Sequence, residues 1–209
     1  MPIISLLGNK GGAGKTTLSV NLATALHKKG STLLLDADPQ QSSSQWRVIS
    51  RYPDAVPVFN ASASVAMSVD AQAKNYKHLL IDCPPSVESE QTKDALRLSD
   101  WAIIPVLPSP LDLWASVKIE AQIEKARETN PNLKALLVIN QLEPRTRLSQ
   151  AIRNATEQLS TDTAETAICR RVVYRSTVLE GRSVFDAGVK GAAAVEELTE
   201  LLKEIGIKS

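Results

Sequence analysis

Most of the short β-prone runs in this chain are apolar throughout, and that limits the folds open to it. "IISLL" (3–7), "TLLLD" (32–36), "VPVFN" (56–60), "HLLID" (78–82), "WAIIPV" (101–106), "ALLVIN" (135–140) and "AETAI" (164–168) read as strands. A strand with one wet face alternates apolar and polar residues. These largely do not, so both faces must be covered, as in a parallel sheet. Helical stretches lie between them near 16–29, 42–51, 62–74, 88–98, 112–129 and 146–159, with a last one near 192–205. Gly30 stands where the first helix should stop. Such alternation implies right-handed crossovers and helices on both sides of the sheet. The predicted class is therefore α/β, a three-layer, mostly parallel twisted sheet. With no repeat, low-complexity tract or linker in 209 residues, a single domain spanning 1–209 is expected.

Charge does not point to a partner, because 24 Lys and Arg stand against 23 Asp and Glu. Any basic surface must come from local clustering. Cys83 and Cys169 have no metal-ligand spacing, which argues against a disulfide scaffold, a zinc site or an iron–sulfur cluster and suits a reducing cytoplasm. No apolar run approaches the roughly 20 residues of a membrane span.

The first strand runs into "GNKGGAGKTT" (8–17) and then the apolar "LSVNLATAL". A strand, a glycine-rich turn and Lys-Thr-Thr entering a helix make a phosphate-binding loop. Gly11, Gly12 and Gly14, with Ala13 between them, let backbone amides converge on an anion, and the helix N-terminus at Lys15, Thr16 and Thr17 adds partial positive charge. Lys15 would reach the β- and γ-phosphates, and the Thr16 hydroxyl would hold Mg²⁺. The strict pattern G-x-x-x-x-G-K-[ST] places glycine where Asn9 stands, with Gly8 one residue early. Lys10 is a second lysine in the loop, and one lysine already suffices for a phosphate.

Three further motifs fall where a nucleotide site needs them, at strand carboxyl ends. "LLLDADPQ" (33–40) carries Asp36 and Asp38 two apart, on one side of an extended chain. A carboxylate there can order a Mg²⁺-bound or attacking water, although Asp-Pro also opens ordinary turns. "HLLIDCPPS" (78–86) ends an apolar strand in Asp82, the expected Mg²⁺-side partner acting through a water. "ALLVINQ" (135–141) ends in Asn140, which could hydrogen-bond adenine or simply serve a turn.

Together these segments resemble the ParA/MinD family of deviant-Walker P-loop ATPases, and most of all small ParA-type partition ATPases. "NKGGAGKTT", "LLLDADPQ", "LLIDCPPS", "IIPVLPSPLDLWA" and "YRSTVLEGRSVFD" occur in the family's order and cover nearly the whole chain. The resemblance implies ATP and Mg²⁺ as cofactors and slow intrinsic hydrolysis to ADP and phosphate. It implies that Lys10 crosses a homodimer interface to the ATP of the second subunit, that Asp38 supports hydrolysis, and that Asp36 serves the Mg²⁺ shell and transmits nucleotide state. It also implies a cytoplasmic, nucleoid-associated protein. The ATP dimer would bind double-stranded DNA without sequence preference, and a ParB-like or small basic adaptor would stimulate hydrolysis while a plasmid, a chromosome region or a protein body such as a carboxysome is positioned.

Other switches of the same superfamily fit less well. A MinD-like membrane switch needs a basic amphipathic tail, whereas "AAAVEELTELLKEIGIKS" is acidic. Iron–sulfur carriers need paired cysteines, which this chain does not supply as such. For DNA, the candidates are Arg170, Arg171, Arg175 and Arg182, set against the single acid Glu180 in "ICRRVVYRSTVLEGR" (168–182). They would share one edge and neutralise phosphates, with one or more of them diverted to a carboxylate, the nucleotide or the dimer interface.

Overall fold

The computed structural model describes residues 1–143 and 159–207. Seven strands form one sheet: β1 (Ile3–Leu6), β2 (Thr32–Asp36), β3 (Val58–Asn60), β4 (His78–Asp82), β5 (Trp101–Val106), β6 (Lys134–Leu142) and β7 (Ile168–Cys169). Their order is β3-β2-β4-β1-β5-β6-β7, and every pairing is parallel. The expected α/β architecture with a parallel sheet is what the chain adopts.

The unbroken apolar runs are explained by the two cores. Leu33, Leu35, Leu79, Ile81, Ala102, Ile104, Leu137 and Ile139 point to one side. There they meet Val69 of α3 (Val65–Gln72), Leu96 of α4 (Glu90–Leu98), and Ile119 and Ile123 of α5 (Pro110–Arg127). The intervening residues Leu34, Leu80, Ile103, Leu136 and Val138 point to the other side. They pack on α1 (Lys15–His27), on Trp46 of α2 (Ser42–Ile49), on Tyr174 of α6 (Val172–Leu179), and on Leu198, Leu201 and Leu202 of α7 (Ala192–Glu204). Burial on both faces removes any pressure to alternate.

Several boundaries differ from expectation. α5 starts two residues early, at Pro110, because Ser109 caps it and proline is tolerated in a first turn. β3 is confined to Val58–Asn60. The run 164–168 is strand only at Ile168, from which β7 continues to Cys169, and just before the run Thr163 bridges to Leu137. The helix expected near 146–159 falls almost wholly outside the described residues. At the N-terminal end of α5, Trp114 is 70% exposed.

Candidate functional site

The carboxyl ends of β1, β2 and β4 lie side by side: Leu6 stands beside Asp82, and Asp82 beside Asp36. The glycine loop leaves β1 at this point and delivers the chain into α1. Gly12 and Gly14 have φ of 81° and 91°, a left-handed conformation that glycine adopts without steric cost. At Gly14 space is also decisive, since a Cβ there would meet Asn140 Nδ2 at 2.3 Å. The first-turn amides of α1, which have no acceptor within the helix, open towards the loop.

The loop is held from β6. Asn140 Nδ2 donates to the Ala13 carbonyl at 2.6 Å, and Gln141 Nε2 donates to the Gly12 carbonyl at 3.2 Å. Neighbouring strand residues normally face opposite sides. Both reach the loop here because Gln141 has a φ of 58° and the β6–β7 register slips between Asn140 and Leu142. An irregularity that re-aims a side chain in this way is typical beside a site.

Lys15 is 6% exposed, and its Nζ donates to the carbonyl of Lys10 at 3.0 Å. Burial lowers its pKa, while the carboxylates of Asp82 and then Asp38 act the other way. Asp82 is buried in a nest of hydroxyls: Ser43 Oγ donates at 2.6 Å and Ser19 Oγ at 3.0 Å, and Thr16 bonds to it as well. Burial pushes the Asp82 carboxyl up to about 6, against the hydrogen bonds from Ser43 and Thr16. Thr16 and Asp82 are thus joined by a hydrogen bond, with the buried Lys15 ammonium near enough to feel the Asp82 charge.

Asp36 is fully buried, and its oxygens accept from the amides of Ser44 at 2.8 Å and Asp38 at 3.3 Å. Burial raises its pKa, and the Ser44 amide opposes the shift. It ties the end of β2 to the first turn of α2. Asp38, half-buried, accepts from the Gln40 amide at 2.9 Å. Cys83 lies next to Asp82 in the core, where burial pushes its thiol up and leaves it unreactive.

Lys10 stands at the rim, its Nζ 3.1 Å from Asp112 Oδ1 in the first turn of α5. Asp112 Oδ2 in turn accepts from Ser109 Oγ. Sequence reasoning missed Asp112, although Ser109-x-x-Asp112 has the spacing of a capping box. It also missed Ser19, Ser43 and Gln141, whose roles depend on tertiary placement. A cavity of about 100 Å³ opens beside the loop, lined among others by Gly14, Thr17, Asn140, Gln141, Tyr174 and Arg175. It lies between the glycine loop and α6. Asn140 lines it, with its amide already given to Ala13.

Three of the four arginines are engaged in ion pairs. Arg170 pairs with Glu143 at 2.8 Å, and Arg171 donates twice to Glu197 Oε1, at 3.2 and 2.6 Å. The Arg182 guanidinium bonds Glu180 at 3.1 Å and the Asp186 carbonyl, and lies 5.7 Å from the Tyr52 ring centre. Arg171 is therefore fastened to the fold by an acid distant in sequence, and Arg182 by the nearby Glu180 and Asp186 and the distant Tyr52 ring. Arg175, on α6, is exposed and makes no ion pair among the described residues.

A buried lysine in a glycine loop, a helix N-terminus and a strand-end aspartate at the centre of a parallel sheet define a phosphate-loop nucleotide-binding protein. Residues 4–184 match the CobQ/CobB/MinD/ParA nucleotide-binding domain, and the chain belongs to that family, a member of its ParA/MinD P-loop NTPases. It is 42% identical over 199 residues, 94% of this chain and 92% of the relative, to the maintenance of carboxysome distribution protein A of Halothiobacillus neapolitanus. It is 26% identical to the sporulation initiation inhibitor protein Soj of Bacillus subtilis, covering 97% of each. Among solved structures, the ATP complex of a Cyanothece McdA variant superposes with a TM-score of 0.78, at 14% identity over 100% of this chain and 98% of that one. The Mg-ADP complex of MinD from Pyrococcus horikoshii gives 0.73, at 23% identity with the same coverage. At these identities the two structures speak for the fold.

Proposed function

We propose that this chain is a switch ATPase that dimerises on ATP and positions a cargo, with a carboxysome as the first candidate. The observation that carries the reading is the division of labour between the two loop lysines. Lys15 is buried against Asp82 inside its own subunit, whereas Lys10 stands half-exposed at the rim, where it can serve another subunit. ATP held between two copies carries several negative charges in a partly dry interface, and a cation from each opposing chain offsets them. Dimerisation is then linked to the γ-phosphate, and hydrolysis releases it. The cargo assignment rests on the 42% identity to a carboxysome distribution protein.

The residues fit ATP and Mg²⁺. Thr16 and Asp82 would hold the cation, the latter through water, and the ion would supply charge neutralisation of the phosphates. Asp38 is the candidate for orienting water, and Asp36, held by two amides, for relaying the state of the site to α2. Neither site carboxylate is paired with a histidine, which fits slow turnover and stimulation by a partner such as a ParB-like or small basic adaptor. For double-stranded DNA the reading now leans on Arg175, with Arg170 available because an exposed ion pair contributes only about 0–1 kcal/mol. A membrane role is disfavoured: α7 buries Leu198, Leu201 and Leu202 in the core, and its outer side carries Glu196, Glu200 and Glu204.

Light scattering with and without ATP tests the dimer. Wild type should double its mass only with ATP, and Lys10→Ala should stay monomeric while still binding nucleotide. A Lys10→Ala protein that dimerises normally would remove the role assigned to Lys10.

A further inference from the structure

We infer that Asp112 is a positioning residue that holds Lys10 within its own subunit, and that ATP-dependent dimerisation exchanges this carboxylate for phosphates bound in a second copy of the chain. The inference rests on the dimer reading above and adds its regulation.

Three observations carry it. First, the Lys10 ammonium is already satisfied in the separate subunit, 3.1 Å from Asp112 Oδ1. A dimer in which Lys10 reaches across must break that pair once per subunit. Second, the two partners are unequally fixed. The Lys10 side chain is 47% exposed, whereas that of Asp112 is 16% exposed and is gripped by Ser109 Oγ at the start of α5. Asp112 keeps Ser109 and the favourable helix N-terminus after Lys10 leaves, so it is not stranded, and Lys10 is the mobile partner. Third, Lys15 Nζ donates to the carbonyl of Lys10 itself. Lys15 has three N–H donors and can meet a phosphate while keeping that bond, so the Lys10 backbone stays anchored while its side chain swings from Asp112 to a second subunit. Asp112 then sets what that swing costs before two subunits join.

Each exposed or half-exposed pair is worth about 0.2–1 kcal/mol, and two break per dimer, so removing the restraint should tighten dimerisation about 2- to 30-fold. Sedimentation velocity with a saturating non-hydrolysable ATP analogue, across a protein dilution series, reads this directly. Asp112→Asn should dimerise at lower protein concentration by that factor, with its monomer affinity for the analogue unchanged. Asp112→Glu, which restores the charge, should return towards wild type. A purely structural role as a helix cap would lower thermal stability and tighten nothing. If wild type dimerises and Asp112→Asn matches it or is weaker, the restraint is refuted and the dimer reading stands. If wild type stays monomeric with the analogue, both fall. Should Asp112→Asn not fold, competitive amine labelling of nucleotide-free wild type decides: Lys10 should react more slowly than exposed Lys118, and equal rates would overturn the proposal.

Discussion

The glycine-loop end of the sheet and the arginine segment 168–182 both looked functional as strings of letters, yet the fold treats them differently. At the loop, the chemistry-bearing residues are delivered by backbone: strand ends set Asp36 and Asp82 side by side, and helix α1 starts at Lys15. In the arginine segment, two of the four side chains are met by acids from elsewhere, Glu143 for Arg170 and Glu197, on another helix, for Arg171. A motif whose geometry is carried by main chain survives the step from sequence to structure. A cluster of like charges is open instead to partners that arrive by tertiary packing.

The largest effect expected of this contrast lies at the loop. Lys15→Ala should weaken ATP binding by at least about a hundredfold, since a hydrogen bond to a charged group contributes about 1.5–3 kcal/mol and more than one is lost. Calorimetry would check it, and a near-normal affinity would mean that backbone amides alone hold the phosphates. Next comes Asp82→Ala. A residue acting through a metal-bound water typically costs about 10- to 100-fold in metal affinity. A Mg²⁺ titration of ATP hydrolysis should show that loss with nucleotide binding largely kept, and an unchanged titration would pass the cation to Asp36.

The smallest effect sharpens the other side of the comparison. Arg175→Glu should fold normally and lower the salt dependence of DNA binding by about one phosphate's worth, a slope of roughly 0.9. Arg182→Glu should instead act on stability, losing about 1–3 kcal/mol through the severed Asp186 carbonyl and Tyr52 contacts, with the salt slope of the folded fraction unchanged. Thermal melts beside filter binding at several salt concentrations separate the two. If both variants lower the slope alike and melt alike, the open basic edge read from the sequence is restored.

The layered sheet was legible because runs such as "TLLLD" and "HLLID" are apolar at nearly every position, and burial on both faces is the physical reason. Lys15, Thr16 and Asp82 were legible because their spacing is set by one turn and one strand end. The second carbonyl clamp on the loop was not, because it needs Gln141 in a left-handed conformation that no local pattern announces. Asp112 was hidden for another reason. Its local pattern explains it fully as a helix cap, and only the fold brings it to Lys10, 102 positions earlier in the chain by their numbers.

The chain's three tryptophans turn this arrangement into an optical instrument. Trp46 is 3% exposed with its indole N–H donating to the Arg182 carbonyl, and Trp101 lies against Lys134 in the sheet. Trp46 emits from the core, and Trp101 from a partly buried position packed against it. Trp114 sits within a turn of Asp112 and is 70% exposed, so its red-shifted, quencher-accessible emission stands apart from theirs. Whatever docks on the N-terminal end of α5 must dehydrate that one indole, and the unlabelled protein then reports the encounter as a change of colour.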